Sequence, residues 1–196
     1  MVHMIVCLSV AGASDGITPW TSKTPMPTAR AEMGSSVSDG KIYVFGGLQV
    51  AYGTAINSVE VYDPIIDKWA VKSALPTARY YLSNSCCSIN GKIYVIGGSD
   101  KSGDLQTLEE YDPATDTWKS KSPMPTARTA QCAVVNGKIY AMGGVHLNSL
   151  EEYDPANDTW TSKAPMPTAR YIFTNSVVDK KIYAIRGYDF SPSSMV

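Results

Sequence analysis

One segment, Pro-Thr-Ala-Arg, occurs four times and divides the chain into similar units. Its arginines are spaced 49, 49 and 42 residues apart. A period in this range predicts an array of supersecondary units, in which each unit buries its apolar face against its neighbours. The recurring arginines are Arg30, Arg79, Arg128 and Arg170.

Further markers follow each arginine in a fixed order. A run such as residues 41–45, rich in β-branched and aromatic residues, ends in two glycines, and a Tyr-Asp-Pro segment then precedes a tryptophan by seven residues from its tyrosine. The run predicts a strand, the glycines allow backbone angles that a Cβ would forbid, and Asp-Pro predicts a tight turn. No segment has helical periodicity, so we predict an all-β protein. The other runs are residues 92–96, 138–142 and 181–185.

This order of arginine, double glycine, tyrosine and tryptophan resembles the Kelch repeat over residues 17–187. The resemblance implies a β-propeller built from four-stranded blades. We therefore expect one Kelch-type β-propeller domain over residues 1–196. Its blades are expected at about residues 31–72, 80–121, 129–163 and 171–187, the last completed by residues 4–23.

The fourth blade is the least regular part of this prediction. Residues 171–187 supply only two strands, and residues 4–13 and 17–22 supply two more, the second of them carrying Trp20. Four blades of four strands would then form a ring in which N-terminal strands close the last blade. Kelch propellers more often have six or seven blades, so a fragment of a larger propeller and an association of subunits remain alternatives. Seven residues before Trp20, moreover, the chain has Ala13 in place of a tyrosine.

Recurrence separates residues that build the blade from residues that could form a site, since a site usually occurs once. A glutamate stands two residues before the tyrosine of each Tyr-Asp-Pro segment, so we predict structural pairs between these glutamates and the recurring arginines. The recurring aromatic residues are predicted to pack within and between blades. They are Trp20, Trp69, Trp118, Trp160, Tyr43, Tyr94, Tyr140 and Tyr183.

Two stretches differ from unit to unit: the residues directly after each arginine and the loop after each double glycine. In Kelch domains, residues at these positions line the face of the disc where partners bind, so the resemblance implies a binding site here. Exposed tyrosines in loops on a rigid scaffold suit recognition. The candidate binding residues are Glu32, Gln49, Tyr52, Tyr80, Tyr81, Asp100, Lys101, Asp104, Gln131, His146, Asn148 and Tyr171.

The composition excludes several classes of partner. With 17 basic and 18 acidic residues and a formal net charge of −1, the chain has no basic patch for nucleic acid, and it has no segment that predicts membrane insertion. We expect a soluble monomer. The apolar stretch at residues 4–13 follows no lysine or arginine, which favours a strand over a signal peptide and a cytoplasmic over an extracellular location. The cysteines, predicted to be free thiols, are Cys7, Cys86, Cys87 and Cys132.

Catalytic constellations are difficult to build from these residues. Kelch-type copper-radical oxidases need two histidine ligands, and this chain has only His3 and His146. The iron motif of Kelch nitrile-specifier proteins is absent, and Asp100 with Asp104 offers too few ligands for calcium. We therefore predict no cofactor, no metal and no enzyme activity. The preferred function is a binding module for a protein or peptide, with a carbohydrate-binding or carbohydrate-modifying protein, epimerase-like or oxidase-like, as the alternative.

Overall fold

The computed structural model describes residues 6–7, 21–49 and 53–188, with the backbone alone at 6–7. Every regular element in these residues is a β-strand, which confirms the all-β prediction. None of the described residues belongs to a helix long and apolar enough to cross a membrane.

The strands are short and mostly five residues long. In chain order they are β1 (Val6–Cys7), β2 (Thr21–Ser22), β3 (Gly34–Ser38), β4 (Lys41–Phe45), β5 (Leu48–Gln49), β6 (Thr54–Ala55), β7 (Val59–Asp63), β8 (Lys68–Lys72), β9 (Cys86–Ile89), β10 (Lys92–Ile96), β11 (Ser99–Asp100), β12 (Gly103–Asp104), β13 (Leu108–Asp112), β14 (Thr117–Lys121), β15 (Gln131–Val135), β16 (Lys138–Met142), β17 (Leu150–Asp154), β18 (Thr159–Lys163), β19 (Thr174–Val178) and β20 (Lys181–Ile185).

We number the repeats 1 to 4, over residues 24–72, 73–121, 122–163 and 164–187. Repeats 1 to 3 each form an antiparallel four-stranded sheet, in the orders β3-β4-β7-β8, β9-β10-β13-β14 and β15-β16-β17-β18. The register places the recurring tyrosine directly opposite the recurring tryptophan, as in Tyr62 and Trp69. The three whole blades therefore have the predicted strand order. The small hairpins β5-β6 and β11-β12 were not predicted, because two-residue strands leave no periodic signal.

Aromatic residues join one sheet to the next. The ring of Tyr43 in repeat 1 lies 5.8 Å from that of Tyr111 in repeat 2, and Phe45 lies 5.8 Å from Trp118. These side chains form one buried cluster with Val59 and other aliphatic residues of both repeats. Apolar burial between sheets therefore stabilises the stack of repeats.

The double glycines form a second joint between repeats. A Cβ at Gly46, Gly97 or Gly143 would lie 2.6, 2.2 or 2.6 Å from the carbonyl oxygen of the next repeat's arginine, and all three residues have positive φ. The second glycine of each pair donates its N–H to that same carbonyl, as Gly47 does to Arg79 at 2.9 Å. Glycine is thus required both for the backbone conformation and for the close approach of the next repeat.

The predicted arginine–glutamate pairs are confirmed in all three whole blades. In repeat 2, Arg79 Nη1 lies 2.7 Å from Glu109 Oε2, and the Arg79 side chain is fully buried. Burial lowers the pKa of Arg79, whereas the charge of Glu109 opposes that shift. Each arginine also donates to backbone carbonyls of its own repeat, as Arg79 Nη2 does to Val95 at 3.1 Å. The other pairs are Arg30 with Glu60 and Arg128 with Glu151.

The tryptophans and tyrosines fix the segment that enters each repeat. Trp69 Nε1 donates to the carbonyl of Thr24 at 2.9 Å, and the Thr24 N–H donates to Asp67 at 3.0 Å. The Tyr62 hydroxyl also donates to Asp67, at 2.5 Å, and lowers the pKa of that carboxyl. Repeats 2 and 3 form the same contacts through Trp118 and Trp160, which confirms the structural role of these residues.

Repeat 4 differs from the others. Strands β19 and β20 pair only with each other, β1 pairs only with β2, and no closed ring of sheets is formed by the residues that the structure describes. Tyr183 is 48% exposed, whereas Tyr43 and Tyr94 are each 4% exposed. No described residues cover that face of repeat 4, so the packing of Tyr183 between blades stays a prediction. Trp20 lies outside the described residues.

Candidate functional site

Backbone bridges join the two variable stretches at three of the four repeats. Tyr80 N donates to Ser99 O, and Ser99 N to Tyr80 O, both at 2.9 Å. Ala31 and Leu48 form the same pair of bonds in repeat 1, and Tyr171 of repeat 4 forms it with Tyr188, which directly follows that repeat. At these three places the residues after the arginine therefore lie beside those after the glycine.

An aromatic pair lies at one of these places. The rings of Tyr80 and Tyr81 lie 4.7 Å apart at 61°, an edge-to-face contact. Tyr80 is half-buried and Tyr81 is 41% exposed. Tyr81 also has a φ of 56°, in the left-handed region that aromatic residues seldom occupy. Glu32 and Ile172, at the same position in repeats 1 and 4, have φ of 55° and 46°, so this conformation belongs to the repeat and directs a different side chain outward in each.

Two carboxylates border this aromatic pair. The carbonyl of Glu32 in repeat 1 accepts the Leu82 N–H at 3.1 Å, so Glu32 lies against the residue after Tyr81 while its own side chain is exposed. In repeat 2, Asp104 accepts the hydroxyl of Ser99, the residue bridged to Tyr80. Glu32 and Asp104 thus approach the pair from different repeats.

Tyr171 adds a residue from repeat 4 to the same region. Burial raises the pKa of its phenol, and the charges of Tyr81, Asp104 and Glu32 raise it further. Residues that are far apart in sequence therefore share one electrostatic environment. We call this group the tyrosine face; it consists of Glu32, Tyr80, Tyr81, Asp104 and Tyr171.

A hollow of about 450 Å³ opens beside Tyr80. It lies between the hairpins β5-β6 and β11-β12, and Asp100 and Lys101 stand at the turn of the second hairpin. The Asp100 carboxylate accepts the Ser102 N–H at 2.7 Å and so holds that turn. The volume lies within the range of ligand pockets in proteins. The remaining lining residues are Gly53, Thr54, Ala55, Pro76, Thr77 and Ala78.

Two predicted binding residues connect parts of the fold. Gln131 is 9% exposed; its amide donates to the Ser83 carbonyl at 3.3 Å and accepts from the Asn84 amide at 3.0 Å. Asn148 Nδ2 donates to the Met166 carbonyl at 3.1 Å. Both amides therefore join neighbouring repeats.

The remaining candidates lie in loops. Gln49 is half-buried in β5, and its carbonyl accepts the Gly53 N–H at 2.9 Å. His146 is exposed in a turn, with a φ of 58°. Tyr52 lies outside the described residues.

Sequence analysis missed Tyr188, which is bridged to Tyr171 and is 66% exposed. The sequence could have indicated Tyr188 by its position directly after Gly187. Leu48 and Ser99 have the corresponding position in repeats 1 and 2. A second hollow, of about 640 Å³, was also missed, because Tyr43 and Trp69 in its wall belong to recurring structural positions. Ala70 lines this hollow, and repeat 2 has Lys119 at the corresponding position. The small side chain at this variable position was the sequence signal that could have indicated the hollow.

The titratable groups bear on the chemistry available. Among the described residues, no three histidine, cysteine or acidic side chains are placed to hold a metal ion. Cys86, Cys87 and Cys132 are free thiols, as predicted, and burial raises the pKa of Cys86 far above that of an ordinary thiol. Such a thiol stays protonated at neutral pH and is a poor nucleophile.

Comparison with known proteins identifies the family. Residues 13–187 match the family model described as the KLHDC2/KLHL20/DRC7 Kelch-repeats domain, so the chain belongs to the Kelch-repeat family. Kelch repeats form a family of protein-binding repeats.

Three similar proteins illustrate the relationship. The chain is 34% identical over 82 residues to beta-scruin of Limulus polyphemus, 35% over 82 residues to Kelch-like protein terF of Aspergillus terreus, and 34% over 85 residues to mouse Kelch-like protein 41. These matches cover 42%, 40% and 43% of this chain. They cover only 9%, 18% and 14% of the respective relatives, so the chain spans a small part of each.

Proposed function

We propose that this protein is a non-catalytic module that recognises a peptide segment of a partner protein, and that the segment binds at the tyrosine face. The observation that carries this proposal is the edge-to-face pair of Tyr80 and Tyr81, in which Tyr81 is 41% exposed and Tyr80 lines a hollow of about 450 Å³.

The chemistry of these side chains suits protein recognition. Tyrosine offers a large, amphipathic contact area with few rotatable bonds, so ordering it on binding costs little entropy. Tyr81 is exposed although aromatic residues elsewhere in the whole blades are used for packing, as Tyr111 and Tyr153 are. In repeats 1 to 3 the recurring arginines and tryptophans bond to other parts of the fold, whereas Tyr81 in a variable stretch is exposed to solvent.

A catalytic role has less support. The buried carboxylates Glu60, Glu109 and Glu151 are engaged with arginines, and the thiol of Cys86 is held protonated. Kelch-repeat families are, in general, binding and adaptor proteins. We therefore assign Glu32 and Asp104 to recognition and not to acid–base chemistry.

A peptide selection tests the proposed function. The wild-type protein would be used to enrich binders from a displayed library of random peptides, and the affinities of the enriched peptides would be measured by fluorescence polarisation. Tyr81→Ala is expected to weaken their binding about 30-fold, because an aromatic anchor of an interface is worth about 2 kcal/mol or more.

Tyr183→Ala is the matched control for this measurement. Tyr183 is 48% exposed against 41% for Tyr81, yet it lies in β20 and outside the tyrosine face. The control variant is expected to bind the enriched peptides as the wild type does. If no peptide is enriched, or if both variants bind equally well, the proposed function is wrong.

We also propose that the four repeats form one domain closed by the N-terminal strands. The strand pairing supports this: β1 pairs with β2 and β19 pairs with β20, so the two small sheets together have the four strands of a blade. The separation of the paired residues differs from that in the whole blades, since Val6 lies 16 residues before its partner Ser22 and Glu60 lies 11 residues before Val71.

Deletion of residues 1–22 tests the closure. The deleted chain is expected to melt at a lower temperature and with lost cooperativity, because β19 and β20 would lose the two strands that complete their blade. Thermal melting followed by circular dichroism and the mass in solution by light scattering would be measured for both chains. An intact chain that is dimeric, or a melt that the deletion leaves unchanged, would show that the blade is completed in another way.

A further inference from the structure

Most carboxylates in the described residues are engaged in the fold, but two on the tyrosine face form no ion pair there. Glu32 and Asp104 are both exposed, and neither lies within ion-pair distance of a cation in residues 21–49 and 53–188. Asp104 only accepts the Ser99 hydroxyl. The carboxylates paired with lysine or arginine are Glu60, Asp63, Glu109, Glu110, Asp112, Glu151, Glu152 and Asp154.

The remaining charges near the tyrosine face offset these two carboxylates only in part. Asp100 and Lys101 are adjacent in the turn between β11 and β12, so their charges offset each other. Arg170 directly precedes Tyr171 and donates to the Arg186 carbonyl at 2.7 Å, so it offsets one of the two carboxylates at most. The face therefore keeps an excess of negative charge, which attracts a ligand of the opposite sign.

The aromatic rings add to this preference. The faces of tyrosine rings carry negative electrostatic potential and attract cations placed over them. Tyr81 presents its ring to solvent, and Tyr171 lies where the charges of Glu32 and Asp104 reach it. An exposed tyrosine ring near carboxylates that form no ion pair within the described residues is a suitable environment for a guanidinium group, which is planar and stacks on rings while it donates hydrogen bonds to carboxylates.

We propose that the peptide segment bound at the tyrosine face carries an arginine, whose guanidinium lies against Tyr81 and Tyr171 and donates to Glu32 and Asp104. This inference rests on the proposed function and names the chemistry of the partner. It predicts that the partner segment is basic.

A matched pair of peptides tests the proposal. One fluorescein-labelled peptide has the sequence Gly-Ser-Arg-Ser-Arg-Ser-Gly, and the other replaces both arginines with citrulline, which has nearly the same shape and no charge. Binding to the wild-type protein would be measured by fluorescence polarisation. The arginine peptide is expected to bind about tenfold more tightly, and this advantage is expected to shrink as salt is raised from about 50 to about 500 mM.

Three variants locate the effect. Glu32→Gln and Asp104→Asn keep the size of each side chain and remove its charge, so each is expected to reduce the preference for arginine over citrulline about threefold or more. Asp179→Asn removes the same charge from the exposed turn between β19 and β20, outside the tyrosine face. This control is expected to keep the wild-type preference.

The outcomes separate this inference from the proposed function. A wild-type protein that does not distinguish the two peptides, whether it binds both or neither, overturns the inference. So does a preference for arginine that Glu32→Gln, Asp104→Asn and Asp179→Asn reduce equally, because that would be an effect of net charge alone. The peptide selection with Tyr81→Ala decides the proposed function independently, since peptides without arginine can also be enriched there.

Discussion

Gly97→Ala is expected to lower the free energy of unfolding by about 4 kcal/mol, among the largest effects of any single substitution in this chain. A Cβ at residue 97 would lie 2.2 Å from the carbonyl oxygen of Arg128, which belongs to the next repeat. Relief of that overlap would require repeats 2 and 3 to separate. The Gly98 N–H, which donates to the same carbonyl at 3.1 Å, would then lose its partner.

Gly137→Ala separates the two reasons for this effect. Gly137 has a φ of 73°, close to the 56° of Gly97, but a Cβ there meets no atom within 4 Å. Its substitution is therefore expected to cost only the strain of left-handed backbone, about 1 kcal/mol. Urea unfolding of both variants, followed by tryptophan fluorescence, measures the difference. Equal losses of stability would mean that the contact between repeats 2 and 3 contributes little.

The blades were predictable because their signals are local and repeated. Strand, double glycine and Asp-Pro turn follow one another within each repeat, and three copies in a row reinforce the same assignment. The pairing of Arg79 with Glu109 was predictable for a related reason. The two residues recur together in three repeats, 30 positions apart in the first two and 23 in the third, and a buried arginine requires a counter-charge.

The sequence was less informative where the repeat pattern is interrupted. Repeat 4 has Arg186 at the position of Gly46, with a φ of 54°, so it carries a side chain at the position where the whole blades have glycine. Within the part of the chain that the structure describes, the ring of Tyr183 correspondingly remains exposed. Counting the strands of the chain could not predict the exposure of Tyr183. A count of strands does not distinguish a repeat with arginine at the position of Gly46 from a repeat with glycine there.

From the sequence we could predict which stretches of the repeats vary, but not which of their side chains are exposed. Position in the repeat placed Glu32, Tyr81 and Tyr171 just after their arginines, but only the fold shows which of these stretches lie side by side, as the bond from the Leu82 N–H to the Glu32 carbonyl does for repeats 1 and 2. Gln131 belongs to the same variable stretch in repeat 3 and is nevertheless buried in contacts with repeat 2. Whether a variable residue faces solvent or a neighbouring repeat depends on the packing of the repeats, which the local sequence does not specify.

Arg79→Met is expected to lower the free energy of unfolding by about 3 to 5 kcal/mol, because it leaves Glu109 buried without its counter-charge. The Glu109 carboxylate is 4% exposed and would retain only the Thr77 hydroxyl, which donates to it at 2.8 Å. The Val95 carbonyl would lose its bond from Arg79 as well. Thermal and urea unfolding of the variant measure the loss.

Arg170→Met is the matched control, because Arg170 has the same place in repeat 4 and forms no pair with a carboxylate among the described residues. Its Nη1 donates to the Arg186 carbonyl at 2.7 Å, so this substitution is expected to cost about 1 kcal/mol. The double variant Arg79→Met with Glu109→Leu is expected to recover most of the stability, since an apolar pair can replace a buried ion pair. A large loss from Arg170→Met, with a small one from Arg79→Met, would contradict the assignment of these arginines to the blade. They would then have to be considered as part of the binding surface, where a positive charge would oppose the binding of a basic peptide.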